Sequence, residues 1–117
     1  MNSDYPFTIQ SIGINDFIIM VPLNDEDNYS KYYDLFSQYG YESNGPCWEG
    51  HIEQILESID PQLLKQIDFD SEASTFYIKI NSPRAKDRFI QKLVPIFNNL
   101  VELENWIKNA DRDRIDD

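Results

Sequence analysis

The repeat distance of the apolar residues changes along this 117-residue chain, and the change restricts the fold more than any other feature. Near the N-terminus, Tyr5, Phe7 and Ile9 alternate with polar residues, which predicts a half-buried strand. The apolar run in NDFIIMVP (15–22) follows a break at Gly13 and predicts the second strand of a hairpin. Alternation returns in TFYIKIN, where we expect a third strand near 75–81.

Two segments between these strands show the spacing of a helix instead. Residues 29–36 carry aromatic residues at every third or fourth position, and Gly40 stands where such a helix commonly ends. The turn residues SNGP then lead into a helix whose apolar face runs from Trp48 to Ile59. The expected core residues of these two helices are Tyr29, Tyr32, Tyr33, Phe36, Trp48, Ile52, Ile55, Leu56 and Ile59.

The C-terminal half continues with helices. Ser82 followed by Pro83 has the pattern of a helix N-cap, and Pro95 is expected to kink or end that helix. A last helical stretch begins near Leu100, and the charged tail 111–117 is expected to fray. Together these elements predict one α+β domain over residues 1–117, with a small antiparallel sheet packed against four to five helices.

The charge of the chain is strongly acidic and unevenly distributed. There are 21 acidic and 10 basic residues, for a net charge of −11. Eight acidic residues and one basic residue lie from Glu42 to Glu72, whereas five basic residues and one acidic residue lie from Lys79 to Lys92. A field of this sign repels nucleic acid and anionic membranes and attracts basic partners. We therefore expect neither a nucleic-acid nor a membrane partner.

The chain also lacks the marks of export. No apolar run approaches the roughly 20 residues of a membrane-spanning helix, and MNSDYPFTIQ does not resemble a signal peptide. The single cysteine, Cys47, excludes an internal disulfide framework. These features predict a cytoplasmic protein.

Candidates for catalysis and metal binding are weak. Cys47 and His51 are one helical turn apart, as a thiolate and its base could be, but no third member of such a site is visible. The run DFDSE resembles the start of a calcium loop, yet Ala73 and Lys79 stand where glycine and glutamate are needed. We predict no catalytic residue, no metal ligand and no cofactor.

Three glutamates, Glu49, Glu53 and Glu57, form a stripe beside the apolar face of the second helix. Like charges four residues apart disfavour a helix by about 0.2–0.5 kcal/mol per pair, so helix formation alone does not explain the stripe. One interpretation is an ordinary solvated face, and the other is a docking face for a cationic partner.

The segments YGYESNGPCWEGHIEQIL and IDFDSEASTFYIKIN resemble the immunity protein 51 family. The family pattern has a helix ending in G-Y-E-x-N-G, a W-E pair opening the next helix, and F-D-x-E-x-x-x-F before a strand. It has glycine where Ser43 stands and an aromatic residue where Pro46 stands. The matching residues are Gly40, Tyr41, Glu42, Asn44, Gly45, Trp48, Glu49, Phe69, Asp70, Glu72 and Phe76.

The resemblance implies a non-enzymatic bacterial inhibitor that binds a toxin domain in the cytosol as a 1:1 complex. Many toxins of such systems are nucleases with basic substrate grooves, which an acidic surface could cover. It implies structural roles for Tyr41, Gly45 and Trp48, and we expect Gly45 to permit a backbone angle that other residues avoid. The candidate toxin-binding residues are Glu42, Glu49, Glu53, Glu57, Asp68, Asp70 and Glu72.

Two alternatives stay open. The chain could be a small acidic hydrolase that uses His51 together with carboxylates from other elements. It could also be a generic protein-interaction domain or a nucleic-acid mimic unconnected with toxins.

Overall fold

The structure is a computed structural model that describes residues 4–116. Its strands are β1 (Thr8–Ser11), β2 (Phe17–Pro22), β3 (Ile67–Phe69) and β4 (Thr75–Ile80). Its helices are α1 (Glu26–Ser37), α2 (Gly45–Ile59), α3 (Pro61–Leu64), α4 (Pro83–Phe97) and α5 (Leu100–Asn109). A short 3-10 turn, Arg112–Arg114, follows α5. The α+β prediction is confirmed.

The four strands form one antiparallel sheet in the order β1-β2-β4-β3. The N-terminal hairpin and the third predicted strand are both present, the latter as β4. Strand β3 was not predicted from the sequence. It has only three residues, which is too short for an alternating pattern to stand out from a loop, and its pairing with β4 defines it.

Alternation along β2 and β4 gives the sheet a buried face and a partly exposed face. Ile19 and Val21 pair with Ile78 and Phe76, and all four side chains are wholly buried against the helices. Residues at the positions between them, such as Met20 and its partner Tyr77, point the other way and are only half-buried.

Aromatic rings fill the centre of the core, and Trp48 of α2 lies among them. Its ring stacks on Phe97 with centroids 4.9 Å apart and meets the edge of Tyr32 at 5.2 Å. Phe7 contacts the same group, with its centroid 6.4 Å from that of Trp48. Aromatic pairs at such distances add to the stabilisation from burial. The first turn of α2 is thereby held against α1, α4 and the segment before β1.

The expectation that Tyr33 belongs to the core is wrong. Its side chain is 56% exposed, whereas Leu35, which lies outside the spacing of the predicted stripe, is buried. The core contacts the side of α1 that carries Tyr32, Leu35 and Phe36, and Tyr33 lies about a quarter-turn from the middle of that side. The position of Tyr33 in the aromatic stripe of the sequence therefore did not predict its exposure.

Pro95 lies within α4 and does not end the helix directly. The helix continues for two residues beyond it and ends at Phe97. The predicted N-cap is present, since the Ser82 hydroxyl accepts a hydrogen bond from the Ala85 amide at 3.2 Å. Asp60, which precedes Pro61 at the start of α3, makes no side-chain cap bond and instead forms a partly buried ion pair with Arg88 of α4.

The tail does not fray over its described part. Residues 111–116, which we call the C-terminal strap, fold back onto α2, whereas Asp117 lies outside the described residues. Ile115 is buried against Gly50, where a Cβ atom would come within 2.9 Å of its side chain. The Gln54 side chain bonds both the amide and the carbonyl of Asp111, at 2.8 and 3.0 Å. These contacts depend on chain folding, and local composition does not encode them.

Within residues 4–116, none of the helices combines the length and the apolar character needed to cross a membrane.

Candidate protein-binding surface

The loop before α2 places the motif residues that the sequence singled out. The Asn44 side chain caps the helix by accepting a hydrogen bond from the Cys47 amide at 2.9 Å. Pro46 follows in the first turn, where its missing amide hydrogen is not needed. Tyr41 is buried, and its ring meets that of His51 edge-on with centroids 4.6 Å apart.

Gly45 is required for a different reason from the expected one. Among the described glycines, only Gly40 has a positive φ, of 83°, so an unusual backbone angle does not explain Gly45. A Cβ atom at Gly45 would instead lie 1.8 Å from the carbonyl oxygen of Glu72 and 2.6 Å from that of Thr75. The backbone of α2 therefore directly contacts the turn 72–75, and only glycine permits that approach.

Ser43 adopts the backbone conformation that favours glycine. Its φ of 58° lies in the left-handed region, which residues other than glycine rarely adopt. The serine hydroxyl accepts a hydrogen bond from the buried indole N–H of Trp48 at 3.1 Å. This bond offsets the cost of the left-handed backbone and links the loop to the core.

Substitutions at Ser43 should separate these two effects. Ser43→Ala keeps the strained φ and leaves the indole N–H without its acceptor, so we expect a loss of about 1–3 kcal/mol in unfolding free energy. Ser43→Gly also removes the acceptor but relieves the backbone, so its loss should be smaller by roughly 1 kcal/mol. Urea unfolding of both variants measures the difference. A glycine variant less stable than the alanine variant would contradict this account.

The glutamate stripe on α2 has partners within the chain. Arg114 of the C-terminal strap forms ion pairs with Glu53 and Glu57, and its guanidinium donates to Glu57 Oε1 at 2.9 Å. Glu49 accepts a hydrogen bond from the Ser71 amide at 3.3 Å. The hydrogen bond from Arg114 lowers the pKa of Glu57. The stripe therefore serves at least in part to hold the strap and the start of the 71–75 segment.

The pairing of Glu57 predicts a pH-dependent contribution to stability. Because its pKa is lower in the folded protein than the ordinary 4.5, the ionised form stabilises the fold above pH 4.5 and the contribution disappears as the pH falls through the folded value. Glu57→Gln should therefore destabilise the protein slightly at pH 7, and the difference from wild type should vanish in strong acid. Melting temperatures across pH 2–8 measure this.

The matched control is the same substitution in an Arg114→Gln background. Without the guanidinium, Glu57→Gln should have little effect at any pH, because Glu57 then has no ion pair to lose. The single and double variants form a double-mutant cycle that measures the interaction energy of the pair. An equal effect in both backgrounds would mean that another group lowers the pKa.

A first cleft, which we call the α1 cleft, lies between α1, the loop before α2 and the turn 72–75. Its volume is about 550 Å³, and Tyr33 of α1 forms part of its wall. Carboxylates enter it from two elements, Glu26 of α1 and Glu42 of the loop. Ala73 and Ser74 close it on the side of the turn.

A second cleft, which we call the sheet cleft, lies on the other side of the same turn. It has a volume of about 380 Å³ over the partly exposed face of the sheet, where Met20 and Tyr77 form its apolar part. Asp70 and Glu72 supply its carboxylates. Within residues 4–116, neither cleft is lined by a lysine or an arginine. We refer to the two clefts together as the acidic cleft surface.

The candidate residues are therefore divided among three places. Glu42, Asp70 and Glu72 line the acidic cleft surface, whereas Asp68 lies in a separate depression with Lys65 and Lys79. Glu49, Glu53 and Glu57 lie on α2 and bond within the chain. The sequence analysis missed Glu26 and Tyr33, because a helix N-terminal acid and an aromatic residue on a helical stripe both have ordinary structural explanations.

The Cys47–His51 pair is not arranged as a nucleophile and base. The thiol is wholly buried, and its sulfur lies 3.6 Å from His51 Nδ1. The same nitrogen lies 2.8 Å from the Cys47 carbonyl oxygen, which can only accept, so Nδ1 carries the proton and cannot take one from the thiol. His51 itself is 1% exposed and packs against Phe36 and Tyr41. This geometry favours packing roles over catalysis.

The sequence model of the immunity protein 51 family matches residues 12–112, which contain helices α1 to α5 and both acidic clefts. Neither curated proteins nor solved structures gave a match. Since the matched segment extends over nearly the whole chain, this protein belongs to the immunity protein 51 family, a family of proteins that neutralise a toxin.

Proposed function

We propose that this protein acts in the cytosol as a non-enzymatic inhibitor of a nuclease toxin, forming a 1:1 complex in which the acidic cleft surface covers the toxin's basic active-site region. Family membership supports the toxin as partner. The observation that carries the finer proposal is the lining of the two clefts, which combines carboxylates and aromatic rings and, within residues 4–116, includes no basic side chain.

The physical argument rests on what a nuclease must carry. A groove that binds a phosphate backbone presents Lys and Arg, and a negative surface of matching extent can occupy it in place of nucleic acid. The net charge of −11 adds long-range attraction, which raises the rate of encounter. Aromatic residues in the interface then supply apolar contact area, which solvated acidic side chains cannot supply.

The direct test of the function is co-expression with a candidate toxin domain from a neighbouring gene. We expect rescued growth, a 1:1 complex, and loss of toxin-dependent DNA or RNA cleavage when the purified inhibitor is added. A toxin that kills equally well in the presence of the inhibitor would overturn the proposal. A neutralised toxin that cleaves no nucleic acid would overturn only the nuclease assignment.

Two triple variants with the same change in net charge should locate the contact. The cleft variant carries Glu42→Gln, Asp70→Asn and Glu72→Gln, and the helix variant carries glutamine at the three stripe positions of α2. Both remove three negative charges, so their effects on long-range steering should be similar. We expect the cleft variant to dissociate at least tenfold faster, because it also loses direct contacts.

Stopped-flow experiments at two salt concentrations measure the association and dissociation rates of both variants. The helix variant should slow association modestly and leave dissociation nearly unchanged, since two of its carboxylates already face Arg114. Faster dissociation for the helix variant than for the cleft variant would place the interface on α2 instead. Melting temperatures of both variants serve as the control for folding.

A hydrolase that uses His51 is the less favoured function. The ring is 1% exposed and lies outside the lining of both clefts, so a substrate could reach it only after the core opened.

A further inference from the structure

We propose that the α1 cleft is a pocket for one arginine side chain of the toxin, with Tyr33 as the stacking surface and Glu26 and Glu42 as the paired carboxylates. This inference rests on the proposed function and deepens it, because it assigns the chemistry of the central contact.

The exposure of Tyr33 is the first observation. Its side chain is 56% exposed, and it forms part of the wall of the cleft. The other tyrosines of α1, Tyr29 and Tyr32, are both buried. Exposed aromatic side chains in a concave site are characteristic of the residues that dominate binding energy in protein complexes.

The shape and lining of the cleft are the second observation. Its volume of about 550 Å³ lies within the usual range for sites that bind small ligands, so it can take a long side chain and part of its backbone. Leu23 and the exposed ring of Tyr33 provide apolar wall for the methylene groups of such a side chain. Carboxylates from α1 and from the loop before α2 can neutralise its charged end.

The chemistry favours arginine over lysine. A guanidinium is planar, so it can stack on a tyrosine ring while its N–H groups donate to more than one carboxylate. An ammonium is more strongly hydrated and lacks a flat surface, so it gains less from an aromatic wall. A guanidinium stacked on a tyrosine ring already occurs within this chain. The Arg112 guanidinium lies 4.2 Å from the centre of the Tyr41 ring and donates to the carbonyl oxygens of Tyr39 and Gly40.

The test uses this 117-residue chain and a toxin domain that it neutralises. We expect Tyr33→Ala to weaken Kd by about 30-fold or more, as for a hot-spot residue. Tyr33→Phe should bind nearly as well as wild type, because the ring is retained. Val101→Ala is the matched control, since Val101 is also exposed, at 72%, but lies on α5, and this variant should leave Kd unchanged. Because Tyr33 is exposed, melting temperatures of the Tyr33 variants should stay close to that of wild type.

Double-mutant cycles between Tyr33→Ala and alanine substitutions of each basic toxin residue identify the occupant. We expect one arginine to couple strongly to Tyr33, and its replacement by lysine to weaken binding nearly as much as alanine does. Strongest coupling to a lysine or to an apolar residue would overturn the arginine pocket. An unchanged Kd for Tyr33→Ala would also overturn it. Either result would leave the proposed function standing. Absence of toxin binding by the wild-type protein would instead overturn the proposed function and this inference with it.

Discussion

Replacing Trp48 with alanine is expected to lower the free energy of unfolding by about 3–5 kcal/mol. The side chain is wholly buried and contacts rings from four parts of the chain, among them Phe7, Tyr32 and Phe97. Its removal leaves a cavity that several separate elements border, so no single element can move in to fill it. Small domains are stable by about 5–15 kcal/mol in total, so this loss is a large share. Urea unfolding followed by circular dichroism measures it.

Trp48→Phe is the matched control. It retains a ring in the core but removes the N–H that donates to Ser43, so we expect a clearly smaller loss than for alanine. Toxin binding by Trp48→Ala should decrease only as far as the folded fraction decreases. If that variant melted at the wild-type temperature and still lost binding, Trp48 would be a contact residue and its assignment to the core would be wrong.

Gly45→Ala is expected to cost about 3 kcal/mol or more, although alanine is the better helix former. The new Cβ would lie 1.8 Å from the Glu72 carbonyl oxygen, and both groups belong to the backbone. Either the first turn of α2 or the turn 72–75 must therefore move. Movement of the turn would also displace the shared wall of the two clefts, so the folded fraction of the variant should bind the toxin more weakly.

Gly13→Ala provides a control for glycine replacement in general. Its Cβ would meet only the side chain of Asp16, at 3.3 Å, in the exposed hairpin loop. We expect a change within about 1 kcal/mol. Thermal unfolding of the two variants side by side gives the comparison, and equal losses would show that close approach to the turn 72–75 is not what requires Gly45.

Much of the fold was predictable because period and polarity are local properties of a chain. The hairpin, strand β4 and helices α1, α2, α4 and α5 each have enough residues for their spacing to stand out. Strand β3 does not, since three residues cannot establish a period, and it exists because the edge of β4 is available for pairing. The close approach that requires glycine at position 45 could not be predicted, because it involves a segment nearly 30 residues away.

The candidate site was predicted less well than the fold. The concentration of acids from 42 to 72 was visible, and Glu42, Asp70 and Glu72 do line the clefts. The glutamates of α2 looked equally available, because nothing local indicates that an arginine 57 residues further along the chain pairs with one of them. Their roles in toxin binding, like those of the cleft residues, stay predictions for the triple variants to test.

The sequence by itself determined the α+β class, the buried face of α2, the net negative charge and the family. Those properties depend on residue order and composition, which packing does not alter. Only the tertiary structure decided that Arg114 of the C-terminal strap pairs with two glutamates of the stripe, that Tyr33 lies in a cleft, and that the turn 72–75 separates two acidic depressions. Each of these joins segments far apart in the chain. Their distances follow from how helices and sheet pack on the shared core, which local spacing does not specify.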